Sequence, residues 1–210
     1  MSNFTQLIEG YRHFRDGEWA HHRERWAELA AEQRPEIMVI ACSDSRVDPM
    51  IVFDASPGEI FVIRNVAALV PPFEVGGLRH GVSSALEFAV TQLDIPEIVV
   101  LGHGQCGGVS ASLSQCFADK APGEGGFIAR WMAMLDEARD RVVAEKGRGP
   151  EAAHELEYEC VKLSLANLRT FPFVASREAA GRLKLHGAHF AISDGILRVM
   201  DEKTGAFSPA

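Results

Sequence analysis

The apolar residues of the chain repeat with two different periods. From Phe4 through Leu7, Ile8, Tyr11 and Phe14 they recur at helical spacing, and Trp19, Trp26 and Leu29 continue the pattern, so residues 3–31 read as helical. Pro35 breaks it. Three short runs follow that are apolar throughout: Glu36 to Ala41, Glu59 to Ile63 after the turn Ser56-Pro57-Gly58, and Glu97 to Leu101 after Pro96. Continuous runs of this length fit strands of a parallel sheet covered on both faces. Helical spacing returns over residues 78–93 (Leu78, Val82, Ala85, Leu86, Ala89, Val90), after Gly108, over 126–146 (Ile128, Trp131, Leu135, Val142), and from Pro150 to Arg169. Two further strands, His189 to Ile192 and Ile196 to Met200, are joined by Ser193-Asp194-Gly195, and Asp-Gly between apolar runs signals a hairpin. The order predicts an α/β fold: a mainly parallel central sheet with flanking helices and an N-terminal helical arm. With neither a repeat nor a dividing linker, residues 1–210 read as one domain, of which 1–33 form the arm.

Composition narrows what such a fold can do. An apolar fraction of 47% fills a core, and 24% charged residues cover it. The net charge of −8 with no basic block argues against nucleic acid or an anionic membrane as partner. No apolar run reaches membrane-spanning length, and the charged N-terminus is unlike a signal peptide, so the expected location is cytoplasmic. Four cysteines in such a chain read as thiols or metal ligands rather than disulfides. His13, His21 and His22 sit in the polar arm and read as solvated.

The chemistry gathers at two strand ends. The first strand runs into Cys42-Ser43-Asp44-Ser45-Arg46, the third into Gly102-His103-Gly104-Gln105-Cys106-Gly107-Gly108. In an open α/β sheet, ligands bind beyond the carboxyl ends of the strands. If the two strands are neighbours, Cys42, His103 and Cys106 meet there: three soft donors with a fourth position open, which is the pattern of a catalytic rather than a structural zinc site. Cys116 and Cys160 fit better as small buried apolar residues. Asp44 has two roles open to it, a fourth ligand or a carboxylate held away from the metal by Arg46. A rival exists in Gly102-x-Gly104-x-x-Gly107, which matches the dinucleotide fingerprint. It lies on the third strand, however, and its variable positions carry metal ligands.

The same motifs resemble those of the beta-class carbonic anhydrases. Cys42-Ser43-Asp44-Ser45-Arg46 looks like their first zinc motif and Gly102-His103 to Cys106-Gly107-Gly108 like their second. Pro57-Gly58-Glu59, Phe61-Val62-x-Arg64-Asn65-Val66-Ala67, Pro71-Pro72 and Ala85 to Val90 resemble the segments between, and the likeness resumes loosely near Leu185-His186-Gly187. The resemblance implies one zinc per chain on Cys42, His103 and Cys106. It implies reversible hydration of carbon dioxide to bicarbonate by zinc-bound hydroxide, oriented by Asp44 on Arg46. Gln33 matches a glutamine that bonds substrate across a dimer interface. Phe61, Val66 and Phe88 match the apolar lining beside the metal, and Gly107 joins these substrate-binding positions. Many members carry Tyr where Phe88 stands. A homodimer or higher homo-oligomer is implied. Some members also have an inhibitory bicarbonate site built from a Trp–Arg–Tyr trio. Here the three positions read Val39, Arg64 and Phe190, which places the chain with the plant-like subgroup that lacks the site.

Overall fold

The computed structural model describes residues 2–76 and 80–210. They fall into two compact units, residues 1–34 and 35–210.

In the first unit the residues expected to be helical, 3–31, form two helices. α1 (Asn3–Phe14) and α2 (Arg23–Ala31) are separated by a wide turn at Arg15–Trp19. Gly17 lies in that turn, and its carbonyl is shared by His21 Nδ1 at 2.6 Å and the Ala20 N–H. Phe14 meets Trp26 edge-on, ring centres 5.5 Å apart, and Arg23 lies over Trp19. Phe4, Leu7 and Tyr11 remain 69%, 71% and 57% exposed.

The second unit is built on a six-stranded sheet of order β2-β1-β3-β4-β5-β6. Its strands are β1 (Ile37–Cys42), β2 (Ile60–Asn65), β3 (Glu97–His103), β4 (Lys184–Ala191), β5 (Ile196–Met200) and β6 (Phe207–Pro209). The first four run parallel, and β5 and β6 return antiparallel. The short α3 (Pro49–Val52) precedes β2. α4 (Gly81–Glu87), extended by a wide turn to Gln92, precedes β3. Leu78, which the pattern assigned to this helix, lies outside the described residues. α5 (Gly107–Ser114), α6 (Gly126–Met132), α7 (Asp136–Lys146), α8 (Pro150–Leu168) and α9 (Pro172–Ala179) connect β3 to β4. The long pattern over 126–146 is thus two helices joined by a tighter turn at Ala133–Leu135.

β1 is continuously apolar because both its faces are covered. Met38 and Ile40 share a cluster with Leu86 of α4, Leu165 and Leu168 of α8, Phe171 before α9 and Val174 within it. Val39 and Ala41 face the opposite cluster around Val47, Leu101 and Ala188. The hairpin forms where Asp194-Gly195 predicted it, with Gly195 at φ 72° and its N–H on Ala191 O at 2.8 Å. β4 begins five residues earlier than its pattern suggested, because His186 and Gly187 interrupt the apolar run; Gly187 packs against Val161 and Leu165 of α8. β6 is too short to leave a pattern and ends on a proline at the sheet edge.

Candidate metal centre

β1 and β3 are hydrogen-bonded neighbours, with Ala41 opposite Leu101. Cys42 therefore ends one strand beside the end of the other, where His103 is the last residue. The chain then turns through Gln105 at φ 58°, and Cys106 becomes the N-cap of α5. The three ligand atoms lie within 4.8 Å of one another, and all three residues are buried. The two sulfurs are 4.0 Å apart. Tetrahedral zinc with metal–sulfur bonds near 2.3 Å separates two thiolates by about 3.8 Å, so the pair already has that spacing.

His103 supplies the second test. Its Nδ1 sits 2.9 Å from Gly104 O, a carbonyl that accepts only from a protonated nitrogen. Nε2 is thereby left as the lone pair, and it is buried without a hydrogen-bond partner among the described residues. A bare buried nitrogen costs about 1–3 kcal/mol unless something takes it, and a carbonyl fixing the opposite nitrogen is the usual support of a metal-bound histidine. The donor set fits zinc. Cys106 donates its S–H to Cys42, which draws the Cys42 thiol well below its ordinary range, helped by His103 and by the amides of Asp44 and Ala67. That contact and burial push Cys106 up.

Asp44 does not join the ligands. Arg46 grips it as a fork, Nε on Oδ1 at 2.9 Å and Nη2 on Oδ2 at 2.7 Å, and the Arg46 amide adds 3.0 Å to Oδ1. Arg46 Nη2 also donates to Gln105 O at 3.0 Å, tying the loop after β1 to the turn after β3. The guanidinium bond holds the Asp44 carboxyl far below the usual carboxylate range, with the Arg46 amide and His103 adding to it. Asp44 Oδ2 stays 3.9 Å from His103 Nε2.

Arg64 on β2 organises the same loop from below. It donates to Cys42 O (2.8 Å), Asp44 O (2.6 Å) and Val47 O (3.1 Å), and pairs with Asp48 at 2.9 Å. Beside it the backbone is strained: Ala67 and Ala68 both lie in the left-handed region, φ 66° and 55°. Five successive carbonyls of this segment each accept a side-chain hydrogen bond. Val66 O takes Trp131 Nε1, Ala67 O takes Cys160 Sγ, Ala68 O takes Ser164, Leu69 O takes Asn65, and Val70 O takes Asn167. The strain is held by α8, whose Cys160, Ser164 and Asn167 fall at helical spacing. Ser164 also accepts the Val70 N–H at 3.2 Å and is fully buried. Ser164→Ala strands both groups and is expected to lower stability by about 2–4 kcal/mol, read from denaturant midpoints. A variant unchanged in stability would show that the segment holds without α8.

Val66 lies against the first turn of α5: its Cγ1 would be 2.8 Å from a Cβ added at Gly108. Phe61 and Phe88 stack on each other, ring centres 6.1 Å apart, and Phe61 lies four positions before the end of β2, roughly 13 Å along the strand. Gln33 belongs to the N-terminal unit. Cys160 is buried as expected, but Cys116 is exposed, because α5 stops at Ser114 and Gln115 turns the chain at φ 54°. Of the rival fingerprint's glycines, Gly102 serves packing: a Cβ there would meet Val161 at 2.6 Å.

Sequence reasoning missed Glu157. It is buried, accepts the Cys106 N–H on Oε1 at 3.3 Å, and contacts His189 Nε2 through Oε2 at 3.1 Å. A signal existed. Glu157, Cys160, Ser164 and Asn167 form a polar line at spacings of three and four on the face of α8 that also carries Leu156, Val161, Leu165 and Leu168.

A parallel sheet ending in two thiolates and an imidazole, with a clamped carboxylate at the open side, defines a class: metal enzymes that activate a small molecule at an open fourth position. The match to known proteins is narrower. The carbonic anhydrase family model covers residues 37–197, and the chain belongs to that family. It is 34% identical over 209 residues to a carbonic anhydrase of Synechococcus elongatus, covering 95% of this chain and 74% of that one. It is 34% identical over 200 residues to one of Synechocystis, at 93% and 70%. The solved beta-carbonic anhydrase CcaA superposes with a TM-score of 0.91 at 32% identity, covering 100% of this chain and 93% of that one. The beta-carbonic anhydrase CafA of Aspergillus fumigatus gives 0.81 at 29%, covering 98% and 92%. The chain is a carbonic anhydrase of the beta class, the zinc-dependent family that interconverts carbon dioxide and bicarbonate.

Proposed function

We propose that this chain hydrates carbon dioxide at one zinc ion held by Cys42, His103 and Cys106, with Asp44 and Arg46 as its orienting dyad. The observation that carries the reading is the Asp44 fork on Arg46 beside the bare Nε2 of His103. The metal, when bound, supplies Lewis acidity that makes water a nucleophile near neutral pH. The protein does the rest. Asp44 stays ionised and offers Oδ2 as a hydrogen-bond acceptor for the nucleophile, fixing its direction. Because Arg46 takes the carboxylate, Asp44 is kept off the metal. Val66, 39% exposed beside α5, gives an apolar wall suited to an apolar substrate. Zinc removal by a chelator is expected to abolish hydration and zinc addition to restore it. Hydration that persists without metal would overturn the proposal.

Gln33 remains in the proposal as a contribution to the site of a second copy, and Phe61 and Phe88 as apolar lining. The exposed apolar residues Phe4, Leu7 and Tyr11 support an arm that covers a neighbouring subunit, giving a homo-oligomer. Deleting residues 1–30 is expected to break the assembly and expose apolar surface, read by sedimentation and dye binding. A soluble, fully active truncated monomer would refute it. Among the described residues no helix is long and apolar enough to cross a membrane, and all four cysteines are free, which supports a reducing, cytoplasmic setting.

The absence of a second bicarbonate site is also proposed. Val39 is buried without a donor, Phe190 has no hydroxyl, and Arg64 is spent on the loop it holds. Bicarbonate is expected to inhibit only as a competing product.

A further inference from the structure

We propose that His154, Glu157 and His189 form a second metal site, for a divalent ion of the zinc class, separate from the thiolate centre. One ligand atom from each lies within 4.8 Å of the other two. Glu157 Oε2 is 3.1 Å from His189 Nε2 and 3.5 Å from His154 Nδ1. Tetrahedral coordination with nitrogen and oxygen donors near 2.1 Å spaces neighbouring ligands about 3.4 Å apart, so both distances match a shared ion.

Hydrogen bonding alone explains only half of the cluster. It accounts for Glu157 with His189. His154 meets the same carboxylate oxygen only at the longer distance of an i,i+3 ion pair, 3.5 Å, beyond a good hydrogen bond. Two imidazole nitrogens and one carboxylate oxygen gathered within 4.8 Å of one another are a set that a cation can share. The setting is also built rather than incidental. Glu157 and His189 are 5% and 0% exposed. The free oxygen of Glu157 is oriented by the Cys106 N–H, the kind of outer support that ligating carboxylates carry. The His154 ring is placed by Tyr158, ring centres 4.5 Å apart, and stands 5.6 Å from the ring of His189. The His154 side chain is 49% exposed and gives the ion an entry path and an open position for water. Two imidazoles and one carboxylate favour zinc, cobalt or nickel over magnesium or calcium. Because His154 and Glu157 lie one helical turn apart on α8, only His189, from β4, must be brought by the fold.

The inference does not depend on the hydration chemistry, and the two sites have different spectra. The test uses the full-length protein with zinc already filling the thiolate centre, titrated with Co2+. The expected result is one further equivalent bound, with weak visible bands of a nitrogen–oxygen site, no intense sulfur-to-cobalt band, and a raised melting temperature. His154→Ala, at an exposed position, is expected to lose the bands and the extra equivalent while retaining wild-type hydration activity. Absence of binding beyond the first zinc would overturn the proposal. So would equal binding by His154→Ala, which would place the ion elsewhere, or a sulfur-to-cobalt band, which would mean exchange at the thiolate centre.

Discussion

Replacing Cys106 by serine is expected to remove the metal and the hydration activity together while the fold persists. The thiolate is the ligand, and a serine hydroxyl at this position remains protonated at neutral pH and binds zinc poorly. The geometry gives no substitute. Cys160, the nearest further thiol by burial, donates its S–H to Ala67 O at 3.1 Å and is pushed up by burial, so it stays protonated in its structural role. Asp44 is committed to Arg46. The variant therefore keeps only Cys42 and His103 as donors, and the buried Nε2 of His103 loses the partner it is arranged for. That leaves an unmet buried acceptor, worth about 1–3 kcal/mol of stability. Elemental analysis, a hydration assay and a melting curve read the three effects on one preparation. Full zinc occupancy in the variant would sink the ligand assignment.

The parts of this centre that could be read from sequence are those where one residue type at one position carries the chemistry. Cys42, His103 and Cys106 stand at strand ends, and strands in a buried parallel sheet announce themselves by unbroken apolar runs. Once β1 and β3 are neighbours, their meeting follows. The Asp44–Arg46 fork was legible as a choice between two roles, and the structure has the carboxylate on the guanidinium.

What stayed hidden is the support, because it depends on partners distant along the chain. The strained carbonyls at residues 66–70 are answered from α6, from β2 and from α8, nearly a hundred residues away. No local pattern shows that Ala67 and Ala68 take left-handed backbone, since alanine carries no such signal as glycine does. Arg64 was visible only as a remnant of an anion site, and its grip on three carbonyls of the loop after β1 emerges only when β2 pairs with β1. Phe61 and Phe88 show the opposite failure. They were expected beside the metal as apolar lining, and within one chain they stack on each other, with Phe61 near the far end of β2 from Cys42.

Asp44→Asn is expected to keep zinc and lose most turnover, by about 100- to 10,000-fold, the range for a positioned proton-handling group. The substitution preserves shape and leaves all three ligands intact, so metal content should not change. What changes is the hydrogen-bond sense. The carboxylate accepts three hydrogens from Arg46 and still has acceptor capacity on Oδ2. An amide has one oxygen. If that oxygen faces Arg46, its NH2 faces the nucleophile and cannot accept from it. If it turns around, two donors collide at the guanidinium. Arg46→Ala is expected to be inactive for a different reason. It frees a carboxylate whose Oδ2 is already only 3.9 Å from His103 Nε2, close enough to take the open position. The two variants separate by anion binding to the cobalt-substituted enzyme: azide should shift the spectrum of Asp44→Asn and leave that of Arg46→Ala unchanged. The pH dependence follows the same logic. Arg46 depresses the Asp44 carboxyl, so its charge is lost only when pH falls through that lowered value, well below the unfolded value of about 3.9. Any rise of activity between mildly acidic and alkaline pH therefore reports a different group, and in Asp44→Asn it should survive with its midpoint moved to lower pH, because a negative charge beside that group is gone. Near wild-type turnover in Asp44→Asn would remove Asp44 from the mechanism.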